Sequence, residues 1–298
     1  MHAHGRYTYV GAMEIGVVYP QIELGGSPAA LRRFATAAEE LGYSHLVAYD
    51  HVLGAVHEGR EPALMGPYTE RDPFHEPFVM FSYLAGITTR LGFFSGIIIL
   101  PQRQTALVAR QAADLDLFSG GRFRLGVGVG WNYVEYDALG QDFHTRGKRQ
   151  EEQMALLRRL WNQDVVTFEG RFDRVDRAAL VPKPTKMIPI WMGGWGKAAF
   201  ARAARLADGF IFGGRTADVV ETWNRMRDDV VANHRDAENF GGEAVMFSSS
   251  GVPRLVEHVE AWRAAGGTHA SVVTMNHGFT DVEQHVAYLE EVRAALPG

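Results

Sequence analysis

Short runs of consecutive apolar residues alternate, from one end of the chain to the other, with longer segments whose apolar positions recur at three-and-four spacing. The short runs are Ile15–Tyr19, His45–Tyr49, Gly92–Ile99, Phe123–Val127, Ile188–Met192, Gly209–Phe212, Val245–Ser248 and Ala270–Thr274, and they predict strands. After the first run, Leu31, Phe34, Ala35, Ala38 and Leu41 share one helical face and Gly42 supplies a stop. Helical patterns also cover Thr105–Phe118, Arg149–Trp161, Lys197–Ala207, Ala217–His234, Arg254–Ala265 and Asp281–Ala295. Strands apolar on both faces and joined by helices form a parallel sheet covered by helices. Eight such units predict an α/β fold, a closed (β/α)8 barrel. One domain over residues 13–298 accounts for them, with residues 1–12 as an N-terminal extension. Two stretches break the rhythm, the loop Val52–Glu76 and the segment Val165–Met187, whose FEGRFDRV reads as an inserted hairpin.

Composition narrows the partners. At 298 residues, 46% of them apolar, the chain suits one barrel of the usual size, about 250 residues. Thirty basic against 35 acidic side chains leave a net charge of −5, which offers no electrostatic footprint for nucleic acid or an anionic membrane. The absence of cysteine excludes disulfides, thiolate metal sites and cysteine nucleophiles. Runs such as Phe93–Leu100 are too short to span a bilayer, and the first dozen residues lack the apolar core of a signal peptide. A cytoplasmic enzyme acting on a small molecule is expected.

A barrel of this kind builds its site at the carboxyl ends of its strands. Reading just beyond each predicted strand gives Gln21, Asp50, His51, Gln102, Arg103, Trp131, Asn132, Trp195, Arg215, Asn276 and His277. These contain no nucleophile triad, no metal-ligand spacing and no carboxylate pair on adjacent strands, so a cofactor with its own reactivity is the better expectation, and no metal. His51 can move a proton near neutral pH, and Asp50 beside it could fix its tautomer, although an isolated Asp-His is more often a plain loop. In RLGVGVGW, Gly126, Gly128 and Gly130 alternate, which suits close approach to a flat ring or tight interior packing alike. IWMGGWGKAA runs from a strand through Gly193, Gly194, Trp195 and Gly196 into a helix, a natural anion site. Trp131, Trp191 and Trp195 could wall a planar group or simply pack. His57, His75 and His144 read as surface residues.

Taken in order, IGVVYPQ, the Asp-His pair, LGFFSGIIILPQRQTALVARQAADLDLFSGGRFRLGVGVGW, NYVEYDALG and IPIWMGG…ARLADGFI resemble the luciferase-like family, in particular its F420-dependent oxidoreductase branch. The resemblance implies a TIM barrel, often a homodimer, that uses a reduced deazaflavin or flavin, here F420 with FMN as the alternative. It implies that Ser95, Gly96, Ile97, Ile98, Gly128, Val129, Gly130 and Trp131 line the ring. Gly193, Gly194, Trp195, Gly196 and Arg215 would take the phosphate, with His51 and Asp50 as the catalytic pair. It also implies a cis peptide bond not involving proline, placed at Ile97–Ile98 by counting back from Pro101. A sugar-phosphate dehydrogenase branch carries a tryptophan shortly after its histidine and a glutamate directly after the glycine turn. Ala55 and Trp131 stand there instead, which argues against that substrate and predicts one acid fewer. The expected reaction is hydride transfer with His51 handling the proton. The rivals are an FMN-dependent monooxygenase and a non-catalytic flavin-binding protein.

Overall fold

The computed structural model describes residues 12–247 and 251–296. Eight parallel strands close on themselves: β1 Glu14–Val18, β2 His45–Ala48, β3 Gly92–Ser95, β4 Phe123–Gly128, β5 Ile190–Gly193, β6 Gly209–Gly213, β7 Gly241–Met246 and β8 His269–Val272. Each pairs with its sequence neighbours, β1 pairs with β8, and Phe93 opposite Phe123 completes the ring. Around them lie α1 Pro28–Glu40, α2 Pro77–Ala85, α3 Thr105–Ser119, α4 Arg146–Asn162, α5 Lys197–Leu206, α6 Thr216–Ala232, α7 Val252–Ala264 and α8 Val282–Ala295. The expected hairpin is present as Val166–Glu169 antiparallel to Arg174–Ala178. The expected extension falls, but for residue 12, outside the described residues.

Local chemistry sets the helix ends. Ser27 accepts from Ala30 N with Pro28 in the first turn, Asp281 accepts from Gln284 N, and α3 ends at Gly120 with φ 67°. The structure corrects two strands. The third is broken, Gly92–Ser95 followed by Ile98–Ile99, and the seventh begins at Gly241, four residues before the expected start at Val245. Its first residues, Gly-Gly-Glu, do not read as an apolar run, because Glu243 points into the barrel among polar partners instead of apolar ones.

Those partners close the amino-terminal end of the barrel. Glu243 is fully buried and meets His45 Nε2 at 2.8 Å, Arg124 Nη2 at 2.5 Å and the Ser271 hydroxyl. Arg124 lies over Phe94 and Trp191, 3.9 and 4.1 Å from their ring centres. Large interior rings need room, and glycines supply it. A Cβ on Gly16 would lie 2.4 Å from His45 Nε2, and one on Gly241 would lie 2.1 Å from Trp191 Cζ2. Burial opposes ionisation of Glu243, but His45 and Arg124 outweigh it and hold the carboxyl down at about 2.

Two buried histidines set the acid limit of this fold. Burial, with help from Arg124, lowers His269 to about 4, and burial, with help from His277, lowers His285 to about 4. The unfolded chain protonates both near 6.5 while the folded chain does not, so their contribution, full above that pH, is lost as the pH falls toward 4. The thermal midpoint should therefore decline steadily between pH 6.5 and 4, before most carboxylates titrate. His285→Gln should make that decline shallower. A midpoint that stays flat across this window would contradict the assignment.

Candidate active site

The strands are parallel, so Gln21, Tyr49, Asp50, His51 and the end of β4 share one rim. His51 follows β2 and is enclosed by aromatic edges. Its ring centre lies 4.8 Å from Phe74, 5.4 Å from Trp131 and 5.5 Å from Tyr68. Its Nδ1 meets Glu135 Oε1 at 3.2 Å. Glu135 sits on the short helix Tyr133–Ala138 after β4, started by Asn132, whose side chain accepts from Val134 N. The same oxygen accepts from the backbone N–H of Val52 and Leu53, at 2.8 and 3.0 Å, and the other accepts from Gln102 Nε2 at 3.1 Å. Burial raises the Glu135 pKa, yet the hydrogen bonds from His51, Leu53 and Gln102 and the His51 charge leave it below the ordinary value. An ionised carboxylate only accepts, so Nδ1 of His51 carries a proton and the neutral ring keeps its lone pair on Nε2. That atom has no hydrogen-bond partner among the described residues.

The carboxylate beside His51 is thus Glu135, not Asp50. Asp50 is buried and turned toward β3, accepting from Ile99 N at 2.9 Å and Arg103 Nη2 at 2.8 Å. Arg103 also pairs with Glu76 at 2.9 Å, which ties the long loop's end to the rim. The expected loss of an acid is corrected in the same way: Trp131 does follow the glycine turn, but one helical turn later Glu135 reaches back to the histidine.

The cis bond is at Gly96–Ile97, one position earlier than the expected Ile97–Ile98. Ser95 is buried and its hydroxyl is consumed by β4, donating to Gly126 O at 3.0 Å and accepting from Gly126 N at 2.9 Å. Gly128 and Gly193 make the space that the Ile97 side chain fills. A Cβ on Gly128 would lie 2.5 Å from Ile97 Cδ1, and one on Gly193 would lie 2.9 Å from Ile97 Cγ2. Ile98 is fully buried and pairs with Val127, while Val129 O accepts from the Tyr136 hydroxyl at 2.6 Å. Gly130 has φ 64° and its missing Cβ makes way for Ile99. Trp131 packs on His51, His57 and Gly66.

Beyond β5, Gly194 and Gly196 have φ 143° and 83°, and Gly196 opens α5 with no side-chain cap and open space where a Cβ would be. That leaves a helix amino terminus able to take an anion. Trp195 stands exposed beside it, its ring 3.3 Å from a Cβ position on Gly213. Arg215 is exposed, engaged by Asp218 at 2.8 Å, and lines a groove of about 1160 Å³ between α6 and α7 with Phe247, Arg254 and His258. His57 and His75 are half-buried, not surface residues: His57 Nε2 meets Tyr68 O at 2.9 Å, and His75 packs 6.2 Å from Tyr19.

The fold and rim together define a closed barrel whose mouth joins an oriented histidine, a glycine-lined strand break and an open helix terminus. The chain belongs to the luciferase-like monooxygenase family, whose model matches residues 13–287. It is 33% identical over 170 residues to an FMNH(2)-dependent dimethylsulfone monooxygenase of Pseudomonas fluorescens, covering 55% of this chain and 46% of that one. It is 30% identical over 188 residues to an F420-dependent glucose-6-phosphate dehydrogenase of Nakamurella multipartita, covering 62% and 52%. The chain spans 66% of the length of the first of its curated relatives, and from 42% to 80% of others. An F420-dependent secondary alcohol dehydrogenase, solved with an F420-acetone adduct, shares the fold with a TM-score of 0.78 over 96% of this chain and 99% of that one, at 17% identity.

Glu135 was within sight in NYVEYDALG but carried no motif of its own, and its reach to His51 depends on how the turn after β4 folds. Glu135→Gln would set an amide donor against donors already pointing at it. Losing a buried acceptor in this way costs about 1–3 kcal/mol. Hydrogen exchange at Val52 and Leu53 should accelerate while the β6–β8 amides stay protected. Unchanged exchange at those two amides would show that the carboxylate does not hold the loop.

Proposed function

We propose that this protein is an F420-dependent oxidoreductase that transfers a hydride between the deazaflavin and a small organic substrate, with His51 carrying the accompanying proton. The observation behind this reading is the His51–Glu135 pair, an imidazole fixed at one nitrogen and free at the other inside an aromatic wall. The fit to the cofactor rests on two features of this chain. Gly96–Ile98 and Gly128–Trp131 present a backbone surface backed by Ile97, suited to one face of a flat ring. Gly193, Gly194, Trp195 and Gly196 bring an uncapped helix terminus for a phosphate, with Arg215 just beyond the neighbouring strand β6. When bound, the deazaflavin supplies a carbon centre that gives or takes a hydride.

The remaining work falls to the protein. His51 Nε2 takes the hydroxyl proton of an alcohol being oxidised, or returns one to a carbonyl being reduced. Glu135 keeps the Nδ1-protonated tautomer whose Nε2 accepts the proton in the first case, and stabilises the imidazolium that forms there and that donates from Nε2 in the second. Tyr68, Phe74 and Trp131 shield this transfer from bulk water. The same pair removes the motive for a purely cofactor-storing protein, which rested on a missing acid. An FMN-dependent monooxygenase is the second reading, favoured by the dimethylsulfone monooxygenase relative. A homodimer is proposed as well. Val79 and Tyr83 on α2 and Leu107 and Phe118 on α3 are exposed apolar side chains available to it, and sedimentation would test it.

Side-by-side titration decides the cofactor. F420 should bind at least tenfold more tightly than FMN, a difference of about 1.4 kcal/mol. Equal or reversed affinities move the assignment to the monooxygenase.

With a turned-over substrate in hand, His51→Ala should leave the F420 dissociation constant within a factor of two. It should lower kcat about 100- to 10,000-fold, as removal of a general acid or base does. A wild-type rate would reduce His51 to a wall residue.

A further inference from the structure

The amide of Gln21 lies just beyond β1 and is 4% exposed, yet neither its Oε1 nor its Nε2 completes a hydrogen bond. Buried polar atoms are nearly always paired, so such an atom calls for an absent partner. The Gln21 amide interacts with the Tyr68 hydroxyl, favouring its ionised form, without reaching full hydrogen-bond geometry, and Tyr68 is the ring that packs on His51 and lies 6.5 Å from Tyr49. Tyr19 Oη and His75 Nε2, a few residues away along the same rim, are buried and unpartnered too. Gln150 on α4 is also doubly unpartnered, but its helix packs on the segment after β3, where Gln153 Nε2 donates to Arg103 O at 2.9 Å, and not on the end of β1.

The charges around this spot select against ions. Arg103, the cation on this side of the rim, is already bound by both Asp50 and Glu76. Glu23, two residues from Gln21, places a carboxylate there, its Oε1 accepting from Asn276 N at 2.7 Å. Ile22, Tyr49 and Ile97 are partly buried and pack on the apolar interior of the barrel. Burial raises the Tyr68 phenol to about 12, so it stays a donor across the neutral range.

From these contacts we infer that Gln21, together with Tyr68, is the substrate-recognition element of the site. It takes a neutral, mostly apolar molecule through one oxygen function, an alcohol or a carbonyl, and presents it beside His51. This rests on the oxidoreductase reading for its chemistry, but not on which cofactor is used. The amide offers a donor and an acceptor, so it can hold either redox state of such a group, and the Glu23 carboxylate, its Oε2 unpartnered, turns away carboxylates and phosphates while Asp50 and Glu76 neutralise Arg103.

The full chain carries its own test in two readouts. Gln21→Met keeps the shape and removes two unpaired buried atoms, so the ligand-free variant should melt at least about 2 °C higher than the wild type. Its affinity for cyclohexanol and cyclohexanone, followed by tryptophan fluorescence with and without F420, should fall at least tenfold. Cyclohexanecarboxylate should bind neither protein, and Gln150→Met should leave all affinities unchanged. A lower melting temperature for Gln21→Met would mean the amide is satisfied in the free protein. Unchanged affinities, or tight carboxylate binding, would equally overturn the inference. A failure of F420 to bind, by contrast, would overturn the cofactor reading and leave these ligand and melting results to stand by themselves.

Discussion

A single buried carboxylate organises the mouth of this barrel. Glu135 could not remain ionised in such a place without donors, because removing a charge from water costs several kcal/mol. Four donors converge on it, from His51, Val52, Leu53 and Gln102, which belong to the loops after two different strands. Satisfying that charge therefore dictates where the β2 loop starts, which way the histidine turns, and how the segment after β3 approaches β4. The neighbouring residues extend the hold. Asn132 Nδ2 donates to Leu53 O at 3.1 Å, and Tyr133 Oη donates to Pro62 O at 2.7 Å, so one short turn clamps much of the long loop.

The break in β3 poses the complementary problem. Where the strand leaves the ladder, its amides lose their strand partners, and a buried amide without a partner is costly. Side chains replace the ladder. Ser95 exchanges two hydrogen bonds with Gly126, and Asp50 accepts from Ile99 N. Asp50 is in turn neutralised by Arg103, and Arg103 by Glu76. Asp50, next to His51 in sequence, is thereby committed to the backbone of the β3 break. The glycines of β4 and β5 are committed likewise, since the room they leave is filled by Ile97.

Much of this fold is legible in the sequence because burial on both faces of a strand leaves an apolar run. Seven strands were readable within a few residues for that reason. The exception, β7, opens with Gly-Gly-Glu, and no periodicity reveals that a charged residue is inside when its partners, His45, Arg124 and Ser271, come from other strands. The site was less legible for a related reason. His51 and the glycine turns lie at strand ends, where position alone marks them. Glu135 acts across 84 residues of sequence, and whether Asp50 or Glu135 faces the histidine is decided by side-chain direction. Adjacency in sequence favoured Asp50, while the turn of the chain after His51 favours Glu135.

The two ends of the barrel treat buried polarity in opposite ways, and the contrast bears on function. At the amino-terminal end every carboxylate oxygen of Glu243 is engaged and its cation is stacked between aromatic faces, which seals that end. At the carboxyl end the carboxylates of Glu135 and Asp50 are as fully engaged, but Gln21, Tyr19 and His75 keep unpartnered atoms. Most of the charge there is spent on holding the loops still, although Glu23 Oε2 and Arg103 Nε are also without partners. A ligand entering this end meets unfilled hydrogen-bonding capacity, most of it neutral, and one oriented imidazole. That division, charges mostly for architecture and dipoles mostly left open, matches the proposed movement of a proton at His51 and a hydride at a cofactor. Under that proposal, selectivity lies in which neutral atoms are left without partners.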